Sequence, residues 1–166
     1  MNTAQWKTAS PIGDLFLIAS ERGLQGVHWK RQEIPMAPSL EGDKAVLRLL
    51  TQAAEELERY FRGSLKSFAV PLDVQGTAFQ KRVWGELVKI PYGATVSYRD
   101  IARRLNNEGS VRAVGAANGK NPVSIIVPCH RVIASNGTLC GYAGGLPIKA
   151  ALLEFERTGR RELWAM

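Results

Sequence analysis

Cys129 and His130 place a thiol beside an imidazole, inside the run of residues 128–132 that reads PCHRV. Residues 123–127 are mostly apolar, so we predict a strand that ends in a turn at the cysteine. Cysteine is nucleophilic as the thiolate, a form that neighbouring imidazole or cationic groups favour. One hypothesis is therefore covalent chemistry at Cys129. The alternative is a small buried cysteine beside an ordinary loop histidine, because adjacent side chains need not face each other.

A carboxylate near the end of the chain could complete this chemistry. Apolar spacing predicts a last helix from about residue 146 to residue 158, with Lys149, Leu152 and Leu153 on the same face as Glu156. A buried carboxylate requires a partner. Glu156 therefore either closes a structural salt bridge or orients a histidine, as the acid does in a nucleophile–histidine–acid relay.

The first half of the chain predicts a small α/β layer. Three short strands separated by turn residues are expected over residues 3–8, 14–20 and 24–30, as an antiparallel meander. Residues 43–62 repeat apolar positions at helical spacing and stop at Gly63. Residues 63–76 form the candidate linker, which gives domains over residues 1–76 and 77–166.

Three helices with local start signals are predicted in the second half. Thr77 caps the first, which runs to about residue 90, and Ser97 opens the second with a capping-box pattern. Ser110 caps the third, after a tight turn at residues 106–109. Two short helices joined by such a turn have the outline of a helix-turn-helix.

The third of these helices, residues 111–118, carries almost only small side chains apart from Arg112. Two explanations are open: close packing against a neighbouring element, or approach to another backbone such as that of DNA in a groove. In the second case, Tyr98 and Arg112 lie in the first turns of the two helices, where side chains can project from a docking surface.

Charge is distributed unevenly along the chain. Residues 1–76 hold nine Lys and Arg against nine Asp and Glu, whereas residues 77–166 hold thirteen against six, so the second half supplies the whole net charge of +7. A basic excess confined to one domain is typical of nucleic-acid binding, although a membrane surface or solubility alone would also account for it.

Cysteine and histidine content limits the possible metal and disulfide sites. Cys129 and Cys140 are the two cysteines, too few for a disulfide framework, and with His28 and His130 they show no zinc-binding spacing. His28 has no chemical partner nearby in the sequence, and we interpret it as structural. The start of the chain has no targeting pattern and no window suits a membrane span, so we expect a cytoplasmic protein with a free thiol at Cys129.

Three segments carry a resemblance to a known family. Residues 121–132 (NPVSIIVPCHRV), 141–145 (GYAGG) and 112–115 (RAVG) closely resemble the O6-alkylguanine-DNA alkyltransferases of bacterial type. The resemblance covers residues 77–166 in order and only the architecture of residues 1–76. It implies an α/β (α+β) fold, with a ribonuclease-H-like α/β half and a mostly helical, winged helix-turn-helix-like domain that carries the active-site cysteine.

The resemblance also implies a role for each residue of the reactive cluster. Cys129 would take the alkyl group from O6 of guanine in DNA irreversibly, once per molecule, and O4 of thymine is a second candidate substrate atom. His130 would remove the thiol proton through a bound water, and Glu156 would hold the imidazole. Asn121 would fix the turn that carries the nucleophile.

Double-stranded DNA containing O6-alkylguanine is the implied partner, bound through the minor groove, and the damaged base would be flipped out of the stack. Tyr98 would contact the strand and the base, and Arg112 would fill the vacated space. The residues implied in holding guanine are Tyr98, Val132, Tyr142, Ala143 and Gly144. Those implied in docking are Tyr98, Arg112, Ala113, Ala116 and Ala117.

Other expectations follow from departures from the family pattern. The zinc ligands that some eukaryotic members carry in their first domain are absent, so we expect no metal and no cofactor. Ala143 stands where many relatives have serine, so this position has no side-chain hydroxyl to offer the guanine. We expect a monomer in solution, and cooperative assembly on DNA is left open.

Two rival functions are compatible with parts of the pattern. A non-catalytic module that binds alkylated DNA would share the scaffold, but Cys129 argues against it. A hydrolase using Cys129, His130 and Glu156 would need an oxyanion hole and a route for water, and the sequence specifies neither.

Overall fold

The computed structural model describes residues 3–37 and 43–165. The chain divides into two compact units, of which the first extends to Gln75 and the second spans Gly76–Leu163. Trp164 groups with the first unit, where its ring contacts Phe61 edge-to-face with the ring centroids 5.5 Å apart. The division differs there from the predicted one, which kept the end of the chain in the second domain.

The first unit is a three-stranded sheet with one helix. Strands β1 (Thr3–Thr8), β2 (Leu15–Ser20) and β3 (Leu24–His28) form the predicted antiparallel meander in the order β1-β2-β3. Helix α1 (Lys44–Phe61) is capped by the Asp43 side chain and contacts all three strands. Its apolar stripe is buried, which places the core of this unit between α1 and the sheet.

The candidate linker, residues 63–76, is bound to the first unit over part of its length. The backbone N–H groups of Ala69 and Val70 donate to Oε1 of the buried Glu56, at 2.9 and 3.1 Å. Leu24 exchanges backbone hydrogen bonds with Pro71 and Asp73. Residues 69–73 are therefore a structural part of the sheet layer, which turn and proline signals in the sequence did not reveal.

Short helices dominate the second unit. It contains α2 (Ala78–Leu87), β4 (Val96–Ser97), α3 (Tyr98–Arg104), α4 (Val111–Gly119), β5 (Val132–Ile133) and α5 (Leu146–Thr158). Both α2 and α3 begin with complete capping boxes, Thr77 with Gln80 and Ser97 with Asp100. Helix α2 ends three residues earlier than predicted, since the chain enters turns before Pro91.

The predicted cap of α4 is wrong. The Ser110 hydroxyl donates to the carbonyl of Asn107 at 2.6 Å and makes no capping bond to the helix. Residues Glu108–Ser110 form a 3₁₀ turn that leads directly into α4, and the Ser110 side chain bonds back to this turn instead of to the helix.

The predicted strand before the cysteine is also wrong. Residues 123–127 form a fully buried turn, closed by a hydrogen bond from Val127 N–H to Val123 O at 3.0 Å. Ile125 has φ of 74°, a conformation that a β-branched residue adopts only when its surroundings impose it. A short apolar run indicates burial but does not separate a strand from a buried turn. The strand, β5, follows the cysteine and pairs in parallel with β4.

Candidate active site

Cys129 begins a one-turn 3₁₀ helix, Cys129–Arg131, between the buried turn and β5. The residue is 5% exposed. Burial raises the pKa of its thiol, while a hydrogen bond with the Asn121 side chain and the charge of Lys149 act in the opposite direction. At neutral pH the resting group is therefore the thiol, and its use as a nucleophile requires a base.

His130 is fully buried beside this thiol in the chain, and its ring is held by α5. Nε2 lies 2.7 Å from Oε2 of Glu156, whereas the buried Nδ1 has no hydrogen-bond partner among the described residues. Burial lowers the pKa of His130, so the ring is neutral at neutral pH. A neutral ring that donates from Nε2 to a carboxylate leaves a lone pair on Nδ1, which is the form that accepts a proton.

Glu156 keeps its charge although its side chain is almost completely buried. Burial raises its pKa, but the hydrogen bonds and charges of His130 and Arg131 outweigh that effect and lower the pKa to about 2. The carboxylate thus fixes the tautomer of His130 and stabilises the ring if it becomes protonated.

Arg131 is the partner of Glu156 that sequence reasoning missed. Its Nε donates to Oε1 at 2.7 Å and its Nη2 to Oε2 at 3.0 Å, while Nη1 donates to the carbonyl of Ile90 at 2.7 Å. The guanidinium carbon also lies 5.7 Å from the ring centroid of Tyr92. The sequence contained a signal for this pair. A carboxylate buried beside a neutral histidine needs a cation, and Arg131 directly follows that histidine.

Asparagine side chains fix the backbone around the cysteine. Asn121 donates to the carbonyl of Val127 at 2.8 Å and accepts from Val123 N–H at 3.0 Å, so its side chain closes the buried turn. Asn118, which the sequence reading did not consider, donates to the carbonyl of Cys129 at 3.4 Å. Both side chains are positioning groups for the nucleophile.

Lys149 is a second cation missed at the site. The residue is 0% exposed, and its Nζ donates to the carbonyls of Val132 and Cys140, each at 2.8 Å. Burial lowers its pKa. Through these two hydrogen bonds, Lys149 links β5 to the segment that leads into residues 141–145, the predicted wall of the base pocket.

The chain matches known proteins over both units. Residues 78–158 match the family model described as the DNA-binding domain of 6-O-methylguanine DNA methyltransferase, and residues 6–74 match the ribonuclease-like domain of the same protein. A methylated-DNA–protein-cysteine methyltransferase of Methanosarcina acetivorans is 48% identical over 149 residues, which cover 89% of this chain and 94% of that protein. A protein of the same name from Mycobacterium leprae is 46% identical over 148 residues, 89% of this chain and 88% of that one.

The chain belongs to the methylated-DNA–protein-cysteine methyltransferase family. Solved structures agree with this assignment. The Mycobacterium tuberculosis O6-methylguanine methyltransferase superposes with a TM-score of 0.83 at 41% identity, covering 94% of this chain and 93% of that one. The structure of Mycobacterium tuberculosis OGT in complex with DNA has a TM-score of 0.85 at 40% identity, covering 98% and 99%. The predicted family and two-part fold are confirmed.

The residues that the methyltransferase resemblance assigned to DNA docking lie mostly on one exposed part of α3 and α4. Arg112, Ala113 and Ala116 are exposed. The half-buried Tyr98 directs its ring towards α4, with Cδ1 3.9 Å from the position that a Cβ on Gly115 would occupy. Burial raises the pKa of Tyr98 to about 12, so its hydroxyl stays protonated.

Ala117 does not belong to this exposed surface. It is 3% exposed, and its carbonyl accepts a hydrogen bond from Nε1 of Trp84 at 2.9 Å. The prediction that Ala117 contacts DNA is wrong, because its side chain faces the core against α2. The explanation by close packing therefore holds for the face of α4 that is turned towards α2.

Apart from Tyr98, the predicted base-pocket residues of this methyltransferase follow His130 in the chain. Val132 is fully buried. The ring of Tyr142 stands edge-on to the imidazole of His130, with ring centroids 6.4 Å apart, and burial raises its pKa well above the usual value. Ala143 is exposed and Gly144 is half-buried. Tyr142 thus brings the segment with Ala143 and Gly144 close to His130.

Metal-ligating residues do not cluster in the described ranges, 3–37 and 43–165, where no three His, Cys, Asp or Glu side chains are arranged to hold an ion. Within the same ranges, no helix has the length and apolar content needed to cross a membrane.

Proposed function

We propose that this protein repairs DNA by transferring a methyl or larger alkyl group from O6 of guanine to the sulfur of Cys129, once per molecule. The observation that carries the proposal is the buried pair of His130 and Glu156, 2.7 Å apart, in which the histidine directly follows the buried Cys129 in the chain. Curated relatives with most of their length in common are named methylated-DNA–protein-cysteine methyltransferases.

The transfer removes one proton from the Cys129 thiol and moves one alkyl group from O6 of guanine to the sulfur. His130 accepts the thiol proton at Nδ1, through one bound water, and Glu156 stabilises the resulting imidazolium. The thiolate attacks the alkyl carbon, so that the S–C bond forms while the C–O6 bond breaks and its electron pair moves to guanine. Guanine then gains one proton, which balances the one lost by Cys129. No step calls for a cofactor.

A thioether at Cys129 explains why the reaction occurs once. The S–C bond of an S-alkyl cysteine has no acyl carbon for water to attack, so the residues that activate the thiol cannot regenerate it. A hydrolase would instead form an acyl-enzyme that water releases. Turnover therefore separates this proposal from the cysteine hydrolase.

We predict that repair stops at one alkyl group per protein molecule. The measurement mixes the protein with an excess of a duplex containing O6-methylguanine and counts the restored guanines at the plateau. The proposal predicts a plateau that equals the protein concentration and does not rise with time. Continued turnover would favour a hydrolase-like reaction, and no restored guanine would favour a module that only binds lesions.

DNA docking through α4 supports the same function. Arg112 is exposed at the first turn of α4, and the exposed Ala113 and Ala116 leave that face without bulk. Such a face fits the minor groove, where few features distinguish bases, so the protein would find damage in any sequence context. Arg112 would enter the stack and hold the space that the flipped guanine leaves. We further propose that the protein acts as a monomer in the cytoplasm, where Cys129 stays reduced.

Replacing Arg112 with alanine should weaken repair of duplex DNA far more than reaction with free O6-benzylguanine. Only the duplex needs base extrusion, whose free energy of a few kcal/mol corresponds to about a 100-fold lower rate. Single-turnover rates with both substrates test this, and Lys120→Ala, an exposed cation at the other end of α4, is the matched control. Equal losses with the two substrates would show that Arg112 has no role in extrusion.

A further inference from the structure

The side chain of Asn118 carries a buried oxygen that no described residue satisfies. Asn118 lies in the last turn of α4, is 3% exposed, and donates from Nδ2 to the carbonyl of Cys129 at 3.4 Å. Its Oδ1 is buried and accepts no hydrogen bond from any described residue. Exchanging the two ends of the amide would not help, because an oxygen would then face the Cys129 carbonyl. Oδ1 is therefore an acceptor that needs a donor.

A second unpaired acceptor belongs to the residue that follows Cys129. His130 is neutral and donates from Nε2 to Glu156, so its Nδ1 presents a lone pair, which is buried and has no partner among the described residues. Native proteins pair nearly all buried polar atoms, either with other protein groups or with water. One of these two exceptions is on the side chain that binds the Cys129 carbonyl and the other is on the next residue. Together they point to one shared donor.

Donor side chains described around Cys129 are engaged elsewhere. Asn121 and Lys149 donate to backbone carbonyls. Arg131 donates to Glu156 and to a further carbonyl. A water molecule suits the two acceptors because it carries two donor hydrogens, and its oxygen can still accept the hydrogen of the thiol. Buried waters make about three hydrogen bonds, mostly to groups that are otherwise unpaired, and this site offers three.

We propose that one water molecule binds between Oδ1 of Asn118 and Nδ1 of His130 and is the water through which Cys129 loses its proton. This inference rests on the proposed function, to which it adds the residue that holds the water. The thiol proton moves to the water while one water proton moves to Nδ1, so a thiolate and an imidazolium form and the water is restored. Asn118 is a positioning residue, since it acts through the water.

The backbone around Asn118 fixes the direction in which its amide points. Trp84 of α2 donates from Nε1 to the carbonyl of the preceding residue, Ala117, at 2.9 Å. The carbonyl of Asn118 itself accepts from Asn121 N–H at 3.3 Å. The last turn of α4 is therefore held on both sides of the amide, which suits a group that must orient one water molecule.

Several charged groups act on the proton that His130 accepts. Burial lowers the pKa of His130, Glu156 acts in the opposite direction, and Arg131 and Lys149 lower the pKa further. Tyr142, whose ring stands edge-on to the imidazole, stays protonated because burial raises its pKa. A substitution at Asn118 leaves all these groups in place, so their titration cancels when two proteins are compared at the same pH.

The kinetic test compares the unsubstituted protein with Asn118→Leu, which keeps the shape of the side chain and removes the acceptor. Single-turnover alkylation by free O6-benzylguanine, a substrate that needs no DNA contact, is measured from about pH 7 to about pH 10. At pH 7 we expect Asn118→Leu to react about 10- to 100-fold more slowly, as for the loss of one hydrogen bond in a charged network. The ratio of the two rates should shrink as the pH rises, because the thiol then ionises without His130.

A ratio that does not change with pH overturns the water site, because Asn118 would then act only by holding the Cys129 carbonyl. A ratio of one at every pH overturns it as well. The control is Asn107→Leu, an exposed asparagine of the same unit, which should match the unsubstituted protein throughout.

A crystal structure of the unsubstituted protein is a second test that does not depend on the folding of Asn118→Leu. We expect a water within hydrogen-bond distance of both Oδ1 of Asn118 and Nδ1 of His130. Two acceptors bound to different groups would overturn the proposal. Failure of the proposed function looks different: the unsubstituted protein then gains no alkyl group from O6-benzylguanine, while the crystal structure still decides whether the water is bound.

Discussion

Glu156→Gln is expected to slow alkyl transfer to Cys129 by about 100-fold or more, because general-base assistance of this kind contributes that much and depends on stabilising the protonated histidine. The amide has the shape of the carboxylate but lacks the charge that faces Nε2 of His130 at 2.7 Å. Single-turnover rates with O6-benzylguanine measure the loss without involving DNA. Glu154→Gln, a half-buried residue of the same helix that pairs with the exposed Arg157, is the matched control and should react at the unsubstituted rate.

The pH profile separates a role in proton transfer from a merely structural role of Glu156. His130 must be neutral to accept the thiol proton, so the rate falls as pH drops through the pKa of His130, which burial holds below 6.5. The carboxylate raises that pKa, and its removal lowers the pKa further. Glu156→Gln should therefore shift the acid limb to lower pH while the plateau falls. An unshifted limb with a reduced plateau would indicate that the substitution acts only through the fold.

Arg131→Met is expected to destabilise the protein by about 3–5 kcal/mol, because it leaves a buried carboxylate without its main cation. Glu156 would lose two bonds from the guanidinium, at 2.7 and 3.0 Å, and the carbonyl of Ile90 would lose a third. Urea unfolding at neutral pH measures the free energy of unfolding. Arg157→Met, which removes the exposed partner of Glu154, should change it little.

The difference in the free energy of unfolding between the unsubstituted protein and Arg131→Met should depend on pH, and the sign of that dependence can be derived. The folded-state pKa of Glu156 is about 2, against 4.5 for a free carboxyl, so its ionisation stabilises the native protein above about pH 5, and this stability is lost as pH falls towards 2. Without Arg131 the folded-state pKa is higher and less stability depends on pH. The difference between the two proteins should therefore shrink on acidification. A constant difference would mean that Arg131 acts through packing rather than through Glu156.

Local signals made much of the helical half predictable. The capping boxes at Thr77 and Ser97 depend on residues three apart, which the sequence displays directly. Glu156 was identifiable for a related reason, since a carboxylate within an apolar stripe must be neutralised. Family resemblance, rather than periodicity, supplied the roles of Tyr98 and Arg112.

The features that were missed or wrongly predicted depend on contacts between distant parts of the chain or on burial, which local sequence signals do not show. Lys149 donates to carbonyl groups far from it in the chain, and no local pattern records such contacts. Arg131 binds a carboxylate that is distant in the chain, so its place directly after His130 becomes informative only once Glu156 is known to lie beside that histidine. Ile125 adopts a left-handed conformation because a closed, buried turn imposes it, whereas β-branched composition alone favours a strand. The inner position of Ala117 could not be read from a helix in which almost every side chain is small.

The location of the alkyl group after reaction tests the central claim most directly. The protein is incubated with a duplex carrying one O6-methylguanine, digested, and its cysteine peptides are weighed. We expect one methyl in place of one hydrogen on Cys129 in every reacted molecule, the same gain in Cys140→Ser, and none in Cys129→Ser. A methyl group on Cys140, or an unmodified protein beside repaired DNA, would contradict the account.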